Sequence, residues 1–400
     1  MSSLPEAHSG ASSSPWFVVV QGAAALAASM GVGRFVYTPI LPLMQAQAGL
    51  SAQIGSTLAT ANYVGYLVGA LAGIVIPALV RSATVMRTAL IVLVATLALM
   101  PVTQNDAVWS VLRLTAGATS ALVFVIAVSA MLDHLREHGQ HMTGWAFGGI
   151  GTGIALSGIL VLILRTEATW RAAWWASAAL ALVFAACAWT LKPEVEPAAA
   201  APGAHDAAPR THRWFSALFA SYALEGVGYI IAGTFLVAAI DQSASGWVGS
   251  SAWVLVGLAA LPSSALWARL RLRWSGPVLL LAALVIQAVG IALPAVIGGL
   301  GPALLSALLF GATFLGVTSM ALAIGAHLRF PRAVALLTTG YSVGQIVGPL
   351  VVTPLVSHGY DRSLLVGAAV VLVAALAAAA LRVGFPHHLG DHLKSVDSST

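Results

Sequence analysis

Long apolar segments, separated by short polar ones, run along almost the whole chain. A helix needs about 20 mostly apolar residues to cross the hydrocarbon core of a membrane, and most of these segments reach or exceed that length. We therefore predict an all-α integral membrane protein with twelve membrane-spanning helices, at residues 16–44, 53–79, 88–104, 108–132, 143–164, 170–190, 214–240, 248–267, 276–297, 302–326, 333–356 and 362–382.

One polar segment, residues 191–213, is rich in proline and alanine and lies between the sixth and seventh apolar segments. Short motifs recur across it at a nearly constant offset of about 195 residues: Gly31-Val32-Gly33 and Gly226-Val227-Gly228, Gly117-Ala118-Thr119 and Gly311-Ala312-Thr313, Thr143-Gly144 and Thr339-Gly340. The repeat predicts a duplicated unit. We expect a disordered tail at 1–15, a six-helix bundle at 16–190, a linker at 191–213, a second bundle at 214–382 and a tail at 383–400.

The composition agrees with a polytopic membrane protein. Of the 400 residues, 59% are hydrophobic and 8% are charged, and the mean hydropathy is +0.92. A soluble domain has about 25% charged residues. The net charge of +5 does not indicate nucleic-acid binding, because the basic residues lie in short loops between the predicted helices.

Lysine and arginine positions predict the orientation. Of the 18 basic residues, Arg34 and Arg113 lie within predicted helices, and Arg165, Arg171 and Arg362 lie on one side of the membrane. The other thirteen lie on the opposite side, which the excess of positive charge identifies as cytoplasmic. Both chain ends are therefore expected in the cytoplasm.

A motif at residues 31–44, Gly-Val-Gly-Arg-Phe-Val-Tyr-Thr-Pro-Ile-Leu-Pro-Leu-Met, combines an arginine and two prolines with an apolar segment. With the parallel six-plus-six repeat, it resembles the major facilitator superfamily, and within it the bacterial YbfB/YjiJ-type branch. Arg113 with Gly117 is similar to the superfamily's fourth-helix motif, and the glycines from Gly144 to Gly153 are similar to its fifth-helix motif. The loop from Gly73 to Arg87 departs from the superfamily pattern because it lacks the usual aspartate.

The resemblance implies two pseudo-symmetric bundles that rock around a central solute site near mid-depth. Glu225 is the strongest candidate for chemistry, because it lies 12 residues beyond Arg213, roughly 18 Å along a helix. Ionisable groups inside membrane spans are functional by default, so we predict a proton-coupling role. The alternative is a hydrogen-bonded structural side chain.

Two arginines inside the predicted helices are candidate solute contacts. Arg34, with Tyr37 nearby, and Arg113 are both expected in the outer half of the membrane. They could bind an anion or pair with Glu225. Alternatively, each could extend to the interface or bind a carbonyl of a neighbouring helix.

Further polar side chains within the predicted helices are candidate solute contacts, because an amide that faces lipid is costly. Each could equally hold two helices together. The set comprises Asn62, Tyr63, Tyr66, Tyr229, Gln287, Tyr341 and Gln345.

Glycines at intervals of four residues predict close helix contacts. Gly65, Gly69 and Gly73 form one stripe, Gly340, Gly344 and Gly348 form another, and Gly144 and Gly148 belong to the fifth helix. Since the resemblance implies that the second and eleventh helices meet across the bundles, we expect the two stripes to be sliding surfaces. Static close packing is the alternative.

We therefore predict a secondary active transporter of a small organic solute that works by alternating access and is coupled to protons. Proton-driven efflux of amphipathic, drug-like compounds is one alternative, and a receptor or scaffold without transport is another. No enzyme site, metal site or cofactor is expected: Gly149 to Gly153 lacks a preceding strand, and His134, His138 and His141 form one isolated cluster. We expect a monomer in a bacterial inner membrane, with no nucleic-acid partner.

Overall fold

The computed structural model describes residues 15–135, 140–165, 169–193, 211–243, 247–357 and 359–386. Most of the tails at 1–15 and 383–400, most of the linker at 191–213, and His138 lie outside these ranges. Within them the secondary structure is helical, without strands.

Twelve helices in the described ranges are long and apolar enough to cross a membrane, which confirms the predicted fold class. In chain order, α1 to α12 are Pro15–Ala48, Ala52–Val75, Ala83–Val102, Asp106–Leu132, Met142–Leu164, Trp170–Ala188, His212–Gln242, Trp247–Leu270, Gly276–Val296, Leu300–His327, Ala333–Val356 and Asp361–Leu381. We call α1–α6 the first half and α7–α12 the second half. A short helix, Pro77–Val80, follows α2.

Helix α1 changes its winding in the middle, within the motif at 31–44. Ala27–Arg34 forms a π-helix, and the amide of Phe35 donates to the carbonyl of Met30, five residues earlier. Pro39 has no N–H group to donate to the carbonyl of Phe35, which accepts from the amide of Thr38 at 3.2 Å. This change of winding places Arg34 at the end of the π-helix. Such local irregularities occur frequently at functional sites.

Each half packs around its first helix. In the first half, α1 contacts α4, α5 and α6, and α2 packs along α4. In the second half, α7 contacts α11 and α12, while α10 packs against α8 and α9. The halves meet where α5 contacts α8, where α2 contacts α11 and where the end of α1 contacts α7.

Large apolar side chains cover the outside of the helix bundle. Ile91 on α3, Leu182 on α6, Val289 on α9 and Leu376 on α12 are all exposed. A water-facing surface of this kind would be unfavourable, whereas a lipid-facing surface is expected to be apolar. The arrangement is that of a multi-pass membrane protein.

The two glycine stripes lie within their own halves, which corrects their expected location between α2 and α11. A β-carbon added at Gly65 would lie 1.9 Å from the carbonyl oxygen of Leu114 on α4, and Gly69 also faces α4. A β-carbon at Gly344 would lie 2.3 Å from the carbonyl oxygen of Ala223 on α7. The remaining stripe glycines also have their nearest neighbours within their own half: Gly73, Gly340 and Gly348. The small residues permit close backbone approach, as the static-packing alternative expects.

Candidate functional site

Arg34 reaches from the first half to the second. Its side chain is only 3% exposed, and its guanidinium donates a hydrogen bond to Oε1 of Gln345 on α11. The Nε atom of Arg34 has no hydrogen-bond partner. The amide of Gln345 in turn donates to the hydroxyl of Tyr229 on α7 at 3.2 Å. These three predicted residues therefore form one polar chain between the halves.

Aromatic rings surround the guanidinium of Arg34. Its central carbon lies 4.3 Å from the ring centroid of Tyr66, 4.9 Å from that of Tyr63 and 5.4 Å from that of Phe35. The hydroxyl of Tyr63 also bonds to Thr234 on α7 at 2.8 Å. Cation–π contacts of this kind stabilise a cation that is removed from water.

Arg113 lies in a different environment, although it is equally buried. Its guanidinium donates to the carbonyl oxygens of Gly33 and Arg34, at 3.5 and 3.3 Å, and lies 4.7 Å from the ring centroid of Tyr37. Asn62 donates to the carbonyl of Arg113 at 2.9 Å. Because Arg113 binds backbone carbonyls where α1 changes its winding, it ties α4 to α1, the alternative weighed from the sequence.

Glu225 is completely buried within the second half. Its Oε1 accepts a hydrogen bond from Nε2 of Gln287 on α9 at 3.1 Å, whereas its Oε2 and Oε1 of Gln287 have no hydrogen-bond partners. Neither Arg34 nor Arg113 pairs with this carboxyl group, because both guanidinium groups are engaged by other groups. The possible pairing of Glu225 with an arginine is therefore not realised in this conformation.

A column of nearly parallel rings lies in the second half. Tyr222 stacks on Tyr341 with centroids 4.3 Å apart, Tyr341 on Tyr229 at 5.4 Å, and Tyr229 on Phe314 at 6.2 Å. Phe314 also contacts Phe35 of the first half, with centroids 6.1 Å apart. The sequence analysis missed Tyr222 and Phe314. The signal for Tyr222 was its position three residues before Glu225 on the same helix, which puts both on one face.

Three side-chain contacts join the halves at the end of the bundle where α1, α5, α7 and α11 end. We call them the latch: Gln45 bonds to the hydroxyl of Tyr360 at 2.6 Å, Ser56 to Thr353 at 2.8 Å, and Arg165 to Asp241 as an ion pair at 3.2 Å. By the predicted orientation this is the outer end. The latch covers the polar cluster from that side.

The structure thus brings together most of the predicted solute-site residues around Arg34: Tyr63, Tyr66, Tyr229, Tyr341 and Gln345. It places Tyr37 and Asn62 with Arg113, and Gln287 with Glu225. Gly144 and Gly148 lie at the contact between the halves, opposite Ala265 and Leu261 of α8. All of the residues in the polar cluster are buried.

Twelve apolar helices in the described ranges, with buried polar side chains where two sets of helices meet, define a membrane transporter of the major facilitator type. The family model described as "Uncharacterised MFS-type transporter YbfB" matches residues 26–379, and the chain belongs to this family. Fold and family indicate a transporter rather than an enzyme, and they imply a small-molecule substrate.

Solved structures show the same fold. A crystal structure of a mutant of the nucleoside transporter NupG has a TM-score of 0.67 and 14% sequence identity, and the match covers 91% of this chain and 100% of that one. No curated protein matches this chain in a sequence search. At this level of identity, the likeness to the nucleoside transporter establishes the fold alone.

Proposed function

We propose that this protein is a secondary active transporter that moves a small organic solute by alternating access and couples the movement to protons. The observation that carries the proposal is the separation of two buried ionisable groups. Arg34 crosses from one half to the other, Glu225 lies inside the second half, and no ion pair joins them. Tyr229 is an electrostatic neighbour of both groups, so it links the two positions.

Glu225 is the proposed proton-binding group. A buried carboxylate without a counter-ion is costly, whereas a carboxylic acid is neutral and carries a proton that can be donated. Since Oε1 accepts from Gln287, the proton would be held on Oε2. Water that reaches this atom when the halves separate would allow the proton to exchange.

Arg34 is the proposed solute contact, together with the side chains around it. Its single hydrogen-bond partner, Gln345, belongs to the opposite half, so this bond must break when the halves separate. The freed guanidinium favours an anionic or polar group of the solute. Arg113 is better suited to holding α1 and α4 together, because two backbone carbonyls already accept its hydrogen bonds.

The remaining parts of the proposal concern location. The basic residues between helices support cytoplasmic chain ends, and the family and composition support a monomer in a bacterial inner membrane. The latch would then close the periplasmic side.

A second candidate, proton-driven efflux of amphipathic compounds, has one observation in its favour. The ring of Phe35 contacts both Trp253 and Phe314 of the second half, with centroids 6.4 and 6.1 Å apart. An apolar solute could replace such contacts. Substitution Arg34→Gln separates the candidates, because it should abolish the transport of an anion and affect an apolar amine only slightly.

Proton flux in proteoliposomes tests the proposal. Vesicles that contain the protein and a trapped pH-indicator dye are challenged with pools of organic acids, bases and neutral metabolites. We expect at least one compound to move protons, and Glu225→Gln to abolish its gradient-driven accumulation while solute exchange remains. Asp361→Asn is the matched control, since it alters an exposed acid at the start of α12.

Two outcomes would contradict the proposal. Gradient-driven accumulation that is unchanged in Glu225→Gln would exclude Glu225 as the proton site. Binding of a compound without net flux in any vesicle experiment would favour a receptor over a transporter.

A further inference from the structure

The charge at the centre of the protein is uncompensated. The described partners of Arg34 are the amide of Gln345 and the rings of Phe35, Tyr63 and Tyr66, and all of them are neutral. A buried cation without an anion is unfavourable. An incoming anion would therefore gain more at Arg34 than at a guanidinium that already has a counter-ion.

The number of available guanidinium groups limits the charge of such an anion. Arg113 donates to two backbone carbonyls within its own half, and these contacts do not depend on the position of the second half. Arg34 bonds to Gln345 across the halves, and Oε1 of Gln345 occupies a position in which a carboxylate oxygen would bind. A single carboxylate can occupy two donors of one guanidinium, so the site fits one negative charge.

The groups around Arg34 favour a flat molecule. On the second half, Tyr222, Tyr341, Tyr229 and Phe314 stack with successive interplanar angles of 12°, 13° and 8°. The hydroxyls of Tyr229 and Tyr341 are within electrostatic range of Arg34. Aromatic pairs prefer offset-stacked or edge-to-face arrangements, and a planar ring can make both with this column.

A buried hydroxyl on α11 provides a further polar group. Ser342 is 1% exposed, and its Oγ has no hydrogen-bond partner. It lies three residues before Gln345, on the face of α11 that also carries Pro349 and Thr353, which meet α2. Buried hydroxyls are normally hydrogen-bonded, so Ser342 is available to a polar group of a bound molecule.

We infer that the solute is a planar aromatic monocarboxylate, whose carboxylate replaces Gln345 as the partner of Arg34 and whose ring lies against Tyr341 and Tyr229. This inference rests on the proposed function, because it names the class of solute for the same central site. It involves no covalent step.

Thermal unfolding of the purified full-length protein tests the inference, since a bound ligand stabilises the folded state by mass action. Benzoate is compared with benzamide, which lacks the charge, and with cyclohexanecarboxylate, which lacks the planar ring. Each is used up to about 10 mM, which would fill even a site with a Kd of about 1 mM. We expect benzoate to raise the unfolding temperature clearly more than the other two compounds do.

Substitutions locate the binding site. Arg34→Gln should weaken benzoate binding by about tenfold or more, because a charge-assisted hydrogen bond is lost. Arg34→Lys should bind with intermediate affinity, since it keeps the charge but not the planar fork. Arg87→Gln is the matched control: Arg87 also lies over an aromatic ring, that of Trp189 at 5.4 Å, but at the surface. If Arg34→Gln does not fold, Arg34→Lys and the three-compound comparison still decide the matter.

Each adverse outcome identifies what is wrong. The absence of any stabilisation by benzoate overturns the inferred class, as does equal stabilisation by benzamide or cyclohexanecarboxylate. Equal benzoate affinity in the wild type and Arg34→Lys overturns the position. If benzoate does not bind while another compound drives proton flux, the proposed function stands without this solute class. If benzoate binds but no compound is moved, the site stands and the transport proposal fails.

Discussion

The two contacts between the halves differ, although the repeat makes them equivalent. Helices α2 and α8 are corresponding elements of 24 residues each, and α5 corresponds to α11. Yet α5 meets α8 through close backbone approach, since a β-carbon at Gly257 would lie 2.2 Å from the amide nitrogen of Ala155. In contrast, α2 meets α11 through the side chain of Ser56, which bonds to Thr353 and to the carbonyl of Pro349.

This difference indicates which contact can open. Backbones in direct contact leave no space for sliding side chains, and such packing is disrupted by small changes of volume. A hydrogen bond contributes only about 0.5–1.5 kcal/mol net, so it can break and form again during each cycle. We therefore expect α5 and α8 to stay together while α2 and α11 separate.

The largest effect is expected from a bulky residue at the contact between α5 and α8. Gly257→Leu would push a side chain into the backbone of Ala155 and into the carbonyl of Gly151, 2.7 Å from the added β-carbon. Such overpacking should cost about 3 kcal/mol or more. We expect little monodisperse protein in size-exclusion chromatography and a lower unfolding temperature.

The control for this substitution is Gly301→Leu at the exposed start of α10. A β-carbon at Gly301 would meet no atom within 4 Å, so folding should be unaffected. Normal folding of Gly257→Leu would show that α5 and α8 are not held as closely as the structure indicates.

A reversible block of transport is expected from a cross-link between α2 and α11. The hydroxyl oxygens of Ser56 and Thr353 are 2.8 Å apart, so cysteines at both positions would bring two sulfur atoms within bonding reach. In a Cys187→Ala background, oxidation of the double variant Ser56→Cys/Thr353→Cys should reduce solute-dependent proton flux to background. A reducing agent should restore the flux.

The single variants Ser56→Cys and Thr353→Cys, treated with the same oxidant, are the controls. They should retain flux, because neither can form the intramolecular bridge. Full activity in the cross-linked double variant would mean that α2 and α11 need not separate at this end.

The helices and part of the central site could be predicted from the sequence. The membrane requirement for about 20 apolar residues per helix located all twelve helices; for example, the segment predicted at 53–79 corresponds to Ala52–Val75. The rule that polar groups avoid lipid also selected Tyr63, Tyr66 and Gln345, which the structure places around Arg34.

Partner choices could not be predicted in the same way. A glycine at every fourth position indicates a close neighbour but not which helix provides it, so Gly65 and Gly344 were expected to face the wrong helices. The winding of α1 also changes at Ala27–Arg34, and a regular period of 3.6 residues cannot indicate where Arg34 points after that change. The carbonyls bound by Arg113 lie at the end of this segment, so their need for a donor was also hidden.

The smallest effect is expected from removing one hydrogen bond at the latch. Thr353→Val deletes the hydroxyl that bonds to Ser56, while Ser56 keeps its bond to the carbonyl of Pro349 at 3.2 Å. The loss of about 1 kcal/mol should accelerate hydrogen exchange of backbone amides severalfold at the start of α2 and the end of α11, and leave α5 and α8 unchanged. Thr57→Val is the matched control, because Thr57 is exposed and bonds within α2 to the carbonyl of Gln53. If exchange increased equally in α5 and α8, the two contacts would be opening together, and the asymmetry between them would have no role in the transport cycle.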